Sequence, residues 1–244
     1  MIITTNERND FVTTLVSCFD NATSGIKEDA LSFIDGRRTK KAARAFIGLS
    51  KNSKMPAYTF AIPARESCPR GDKLAAIEGT VCSGCYATRG HDAMQPAKLA
   101  KARRWAVADL AANSWAIRQL WVEAFVVAMK GEEFFRWHSA GDLYSDAYRD
   151  LVSEAIYNTP ATTHWLPTRQ AKRAKGLTHH ANLTVRVSDD MIDQESNKWD
   201  GNTSGVHVMG GRGVECKAYL NEGKCGDCRS CWDKETKHVS YKLH

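Results

Sequence analysis

The sequence predicts an α/β protein, either a partial (β/α) barrel or an open, mostly parallel sheet, with a small cysteine-rich metal module at its C-terminus. Three observations carry this expectation. Short runs of branched and aromatic residues alternate with segments of helical period, as in βαβ units. About five such strands are present, fewer than a closed eight-stranded barrel needs. Seven of the eight cysteines fall into two tight groups, and 210–244 holds four of them with few apolar residues.

In chain order, 1–53 reads as a helical, basic N-terminal segment. FVTTLVSCF suits a short helix or strand, and KKAARAFIGL suits an amphipathic helix. The α/β core, 54–209, opens with AYTFAIPA, a strand introduced by Pro56 and closed by Pro63. A long helix is expected over 96–129. Leu99, Ala106, Leu110 and Trp121 recur on it at helical spacing, and Pro96 suits its first turn. FFRWHS is then a strand, and DAYRDLVSEAIYN a helix capped by Ser145 or Asp146. THWLPTR is a strand, QAKRAKGL a short helix, and NLTVRVS and SGVHVMGG are two more strands. The third unit, 210–244, is expected to pack on the core and to rely on metal for its folding. Trp105, Trp115 and Trp121 read as core or interface residues, and His179 and His180 as a surface loop.

With 244 residues, 43% of them hydrophobic, the chain can bury a core without disulfide staples. MIITTNERND lacks the charged start and apolar run of a secretory signal. The longest apolar stretch, 121–129, contains Glu123 and is too short to span a bilayer. The expectation is a cytoplasmic protein with no membrane partner. In a reducing compartment, clustered C-x2-C pairs point to metal rather than to disulfides. The formal net charge of +6 admits nucleic acid or a host factor as the partner of a zinc-binding protein, with KEDALSFIDGRRTKKAARAF supplying phosphate contacts. Metal-bound thiolates would use some of the same positive charge.

Cys216, Cys225, Cys228 and Cys231 form C-x8-C-x2-C-x2-C. This close spacing suits the thiolate cage of a 4Fe-4S cluster. A zinc ion with four cysteine ligands is the alternative. Cys68, Cys82 and Cys85 form C-x13-C-x2-C. Three thiolates on a four-iron cluster leave one iron open, unless His91 completes the shell. This group follows the first strong strand, where parallel α/β folds carry their reactive loops. One or two 4Fe-4S clusters are therefore expected. A single cluster shared by both groups would suit electron transfer or sensing.

Polar residues at other strand ends complete a candidate pocket. His138 suits proton transfer, and Asp142 suits orientation of a ribose or an amine, although 139–142 also reads as a turn. Ser139, Thr168, Arg169 and Ser188 hold equivalent places, with Arg169 suited to a carboxylate or phosphate. Arg186 alternates with Val185 and Val187 and so faces away from them. Gly210, Gly211 and Gly213 read as a turn leading to Cys216.

A three-cysteine group after the first strand resembles the radical S-adenosylmethionine superfamily. The resemblance implies that Cys68, Cys82 and Cys85 hold a 4Fe-4S cluster whose free iron chelates S-adenosylmethionine, which is cleaved reductively to a 5′-deoxyadenosyl radical. It places Tyr86 beside the cluster, while Ser139, Thr168, Arg169, Arg186 and Ser188 are candidates for binding the cofactor by their places at the strand ends. It makes a host ferredoxin or flavodoxin the expected electron donor. The superfamily usually has three residues between its first two cysteines, where this chain has thirteen. A second likeness covers 54 to the end. KMPAYTFAIPA, SCPRG, EGTVCSGCYA, FRWHSAGDLYS, HWLPTR, LTVRVS and KCGDCRSCWD are similar to the phage gene product 88 family. That resemblance implies a phage origin and a host-cytoplasm location, and leaves the substrate open.

Overall fold

The computed structural model describes residues 24–35, 38–51, 53–195 and 199–243. FVTTLVSCF and its Cys18 lie outside the described residues. Two helices open the described chain, α1 (Ser24–Asp35) and α2 (Lys40–Ile47). The Thr39 side chain accepts from the Ala42 amide at 3.2 Å and so caps α2. Phe33, Phe46 and Ile47 are fully buried in the main core. The described part of the N-terminal segment is thus built into the core. Two of its basic side chains are engaged: Arg38 pairs with Glu123, and Arg44 pairs with Glu132 at 2.7 Å.

Next come β1 (Ser50–Lys51), β2 (Tyr58–Ala61) and the short α3 (Pro69–Leu74). The helix expected over 96–129 is two helices, α4 (Gln95–Asn113) and α5 (Trp115–Met129). Ser114 breaks it with an extended backbone, φ −124° and ψ 121°. Asn113 and Ser114 favour caps over helix interiors. Arg118 stabilises the break by donating to the Ala112 carbonyl at 2.8 Å. Both helices can then press one face on the sheet, burying Val107 and Ala111 from α4 and Trp121 and Phe125 from α5. Trp115, at the break, is 69% exposed and is no core residue.

The rest of the chain supplies β3 (Phe134–Ala140), α6 (Asp146–Tyr157), β4 (Thr163–Thr168), α7 (Ala171–Ala174), β5 (Leu183–Ile192), β6 (Thr203–His207), β7 (Val214–Glu215) and β8 (His238–Lys242). Ser145 caps α6 by accepting from the Tyr148 amide. The sheet order is β1-β2-β3-β4-β5-β6-β8-β7, and every pair is parallel except β1–β2. Among the described residues no pairing joins β1 to β7, so the sheet is open. Also among the described residues, no helix is long and apolar enough to cross a membrane.

Alternation divides the sheet into two faces. Phe135, Trp137, His164, Leu166, Val185 and Val187 face the helices. There Phe125 stacks on Trp121 (ring centroids 5.4 Å apart) and on Trp137 (5.3 Å). The register between β2 and β3 slips after Thr59, and His138 takes a left-handed φ of 49° at this bulge. The slip points His138 into the helix-side core, 3.0 Å from the Tyr148 hydroxyl.

The stretch 210–244 is part of this sheet. HVSYK alternates apolar and polar residues and forms β8 between β6 and β7. The loop before it is fixed from below by Arg186, which is 0% exposed. Its guanidinium donates to the carbonyls of Ser230 (2.6 Å), Cys231 (3.1 Å) and Asp233 (2.7 Å). Thr184 donates to the Trp232 carbonyl at 2.6 Å, and the Trp232 indole donates to the Phe135 carbonyl at 2.9 Å.

Two outcomes follow from this packing. Arg186→Met strands several buried carbonyls and should lower unfolding free energy by about 3–5 kcal/mol in urea titration. Arg186→Lys should recover only part, because an ammonium cannot span the same acceptors. Burial also depresses both His138 and His164 to about 3. Above pH 6.5 both are neutral, folded or unfolded, and contribute nothing to pH dependence. Below it the unfolded chain takes up protons that the core refuses. Stability should therefore fall by roughly 2–4 kcal/mol between pH 6.5 and 5. A flat urea midpoint across that window would contradict this assignment.

Candidate functional site

Cys68, Cys82 and Cys85 meet at the C-terminal ends of the parallel strands, and the thirteen intervening residues explain how. Cys68 follows β2 and starts α3, and its carbonyl accepts from the Asp72 amide at 2.8 Å. Thr80 then bridges antiparallel to Met191 at the end of β5. The Val81 amide donates to the Asp190 carbonyl at 2.9 Å, and the Ile192 amide donates to the Gly79 carbonyl at 3.0 Å. Arg70 grips the Asp190 carboxylate, with its Nε at 3.1 Å. The insertion thus leaves β2, docks on β5 and returns Cys82 and Cys85 beside Cys68. Gly71 keeps the gap open, since a Cβ there would stand 3.1 Å from Cys68 Cβ and 3.4 Å from Cys82 Sγ. Gly141, with φ 86°, lets the chain after β3 pass tightly against Ile62 and Ser67, next to Cys68.

Electrostatics bind these residues into one site. Burial pushes the Cys68 thiol up to about 12, reinforced by Asp142, Cys85 and Cys82. Burial also raises Cys82, against the opposing pull of Arg169. These two thiols hold their protons unless a cation replaces them. Asp142 is itself raised by burial and accepts from the Leu143 amide (2.8 Å), the Arg169 amide (2.9 Å) and the Thr168 hydroxyl. It therefore clasps the end of β3 to that of β4. Arg169 donates to the Asp189 carbonyl at 3.1 Å, and its buried Nε meets no acceptor among the described residues. Tyr86 is 63% exposed, and its hydroxyl donates to the Ser139 carbonyl.

Cys216, Cys225, Cys228 and Cys231 gather on the sheet face away from the helices. The Cys216 amide donates to Ser240 and the Cys225 amide to Lys54, each at 2.8 Å. Trp232 packs between Phe134 and Trp165, with ring centroids 5.3 Å from each. Burial raises Cys225 and takes Cys231 up to about 11, and Cys216 adds to both shifts. Tyr241 sits 3.3 Å from Cys231 Sγ, while Cys228 lies at the exposed edge. Among the described residues, no group of three or more His, Cys, Asp or Glu side chains is arranged to hold a metal ion.

The structure brings Asp142, Thr168 and Arg169 together around the first cysteine group. Arg186 instead belongs under the second group. Ser188 meets Ser204 at 3.1 Å on that same sheet face. His138 is enclosed in the core, and His91 is exposed in a short 3-10 helix. His180 is buried and bonded to Ser153 at 2.8 Å, unlike the surface residue expected. Sequence reasoning missed Arg70, Asp190 and Arg136. The Asp189 and Asp190 pair after VRVS was the available signal, being acidic residues at a strand end. Arg70 and Arg136 stand in segments read only as loop and strand.

No curated protein and no solved structure matches the chain. The family model described as gene product 88 matches residues 31–234. That span takes in the insertion, both cysteine groups and the strand ends between them, and the chain belongs to the gene product 88 family.

Proposed function

We propose that this is a phage iron–sulfur protein whose first cysteine group carries an open-site 4Fe-4S cluster, and that it acts as a radical S-adenosylmethionine-like enzyme in the host cytoplasm. One observation supports the reading: residues 69–81 fold back on β5 and return Cys82 and Cys85 to the neighbourhood of Cys68 at the C-terminal ends of the strands. When bound, such a cluster supplies one-electron chemistry and an iron with a free coordination position.

The chain's own residues have separate tasks in this reading. Cys68, Cys82 and Cys85 hold the cluster, and the raised proton affinity of Cys68 and Cys82 means that loading releases protons. Arg169, beside Cys82 and with an unpaired Nε, is placed to bind the carboxylate of S-adenosylmethionine. Asp142 and Thr168 position Arg169 through its backbone. Ser139, Ser188 and Tyr86 remain the polar candidates around the cofactor. Cys216, Cys225, Cys228 and Cys231 hold an auxiliary cluster on the other side of the strands. Its exposed edge at Cys228 would admit an electron donor such as a host ferredoxin or flavodoxin.

Metal and sulfide analysis of anaerobically prepared protein tests the reading. The expected outcome is brown protein with about eight irons per chain, falling to about four in Cys82→Ala. About four irons in the wild type, lost as a unit, would indicate one shared cluster. Colourless protein with stoichiometric zinc, and nucleic-acid binding that weakens steeply with salt, would establish a zinc-dependent binding protein instead. S-adenosylmethionine should perturb the electron spin resonance of the wild type and leave that of Cys82→Ala unchanged. Loss of S-adenosylmethionine binding by at least tenfold is expected for Arg169→Met with iron retained.

A further inference from the structure

Arg136 occupies the middle of β3, in register with Thr59 on one side and Trp165 on the other. Its guanidinium lies over the Trp165 ring, 4.5 Å from the centroid. Trp165 in turn meets Trp232, the residue after Cys231, edge to face at 5.3 Å. Arg136 thus lies against the aromatic floor of the second cysteine group. Its Nε is buried and meets no acceptor among the described residues, a costly state for such a donor. Arg186, on the same sheet face, gives the contrast, since backbone carbonyls satisfy its guanidinium. The charge of Arg136 is felt at both Cys225 and Cys231.

Building on the iron–sulfur reading, we propose that Arg136 is the positioning and charge-balancing residue of the C-terminal cluster. In this reading the thiolates of Cys225 and Cys231, whose proton affinity the Arg136 charge already lowers, would supply the acceptors that the stacked guanidinium lacks. A fixed positive charge there stabilises the more negative, reduced state. The C-terminal group is then a centre made easier to reduce, and more than a structural staple.

The test uses the full chain with Cys68, Cys82 and Cys85 replaced by alanine, so that only the C-terminal cluster is read. Arg136→Lys keeps the charge and Arg136→Gln removes it. Iron content and the midpoint potential by spin-resonance redox titration are measured on both and on the parent. The expected result is full iron in all three, a potential near the parent's for lysine, and a tenfold smaller reduced fraction at fixed potential for glutamine. That change is about 59 mV for a one-electron couple. Loss of iron from Arg136→Gln but not from Arg136→Lys supports the proposal equally, because the two differ in charge. Equal potentials in all three, or equal shifts or equal iron loss in both variants, would overturn it and leave the iron–sulfur reading intact. A parent that takes up no iron overturns that reading and this inference with it.

Discussion

The arrangement depends most on one buried cation. Arg186 is in the centre of the sheet with no exposure to water, and an unpaired charge there would be very costly. The chain compensates by bending 230–233 so that three of its carbonyls point at the guanidinium. The same contact satisfies carbonyls that a loop packed on a sheet would otherwise leave without donors. Loop and cation are therefore compatible only together. Cys231 lies inside this turn, and Trp232 is seated by Thr184 and the Phe135 carbonyl. Cys231 is thus tied to the sheet by protein contacts on both sides of it.

The first cysteine group is solved by different means. Backbone pairing and one ion pair bring its distant members together. The insertion 69–81 borrows the end of β5 as a template, through Thr80 opposite Met191 and through Arg70 on Asp190. The long spacing between Cys68 and Cys82 is the length needed to reach a strand three places away in the sheet and to return. A three-residue spacing would close the same thiols locally. Here their geometry is coupled to β5, and to Asp142 and Arg169 at the ends of β3 and β4.

Much of this was legible in the sequence, in physical terms. The central strands and α6 follow from period and capping, because Ser145 caps wherever its hydroxyl can reach the Tyr148 amide. The placement of Asp142, Thr168 and Arg169 followed from their position after strands. What escaped was decided by contacts between distant segments. β8 is a five-residue run in a polar stretch, and only its neighbours β6 and β7 make it a strand. His138 was expected in the pocket from its place at the end of its strand, and a bulge turned it into the core. Arg186 was correctly placed opposite its valines, but its partners lie 44 to 47 residues away. Ser114, which divides the long helix, looks like an ordinary helix-surface serine until Arg118 is seen to cap the break.

The distribution of charge closes the argument about what the basic excess is for. Seven ionised thiols would more than cancel the formal +6 of the chain. Several arginines stand where those thiols are: Arg169 acts on Cys82, Arg136 on Cys225 and Cys231, and Arg229 on Cys225. Near the N-terminus, Arg38 and Arg44 are taken up by Glu123 and Glu132. A surface that binds a polyanion through its phosphates needs cations free to face outward. Arg136, Arg169 and Arg229 act electrostatically on cysteines, and Arg38 and Arg44 pair with carboxylates. Part of the positive charge legible in the composition is therefore engaged with cysteines and carboxylates and is not available to such a surface.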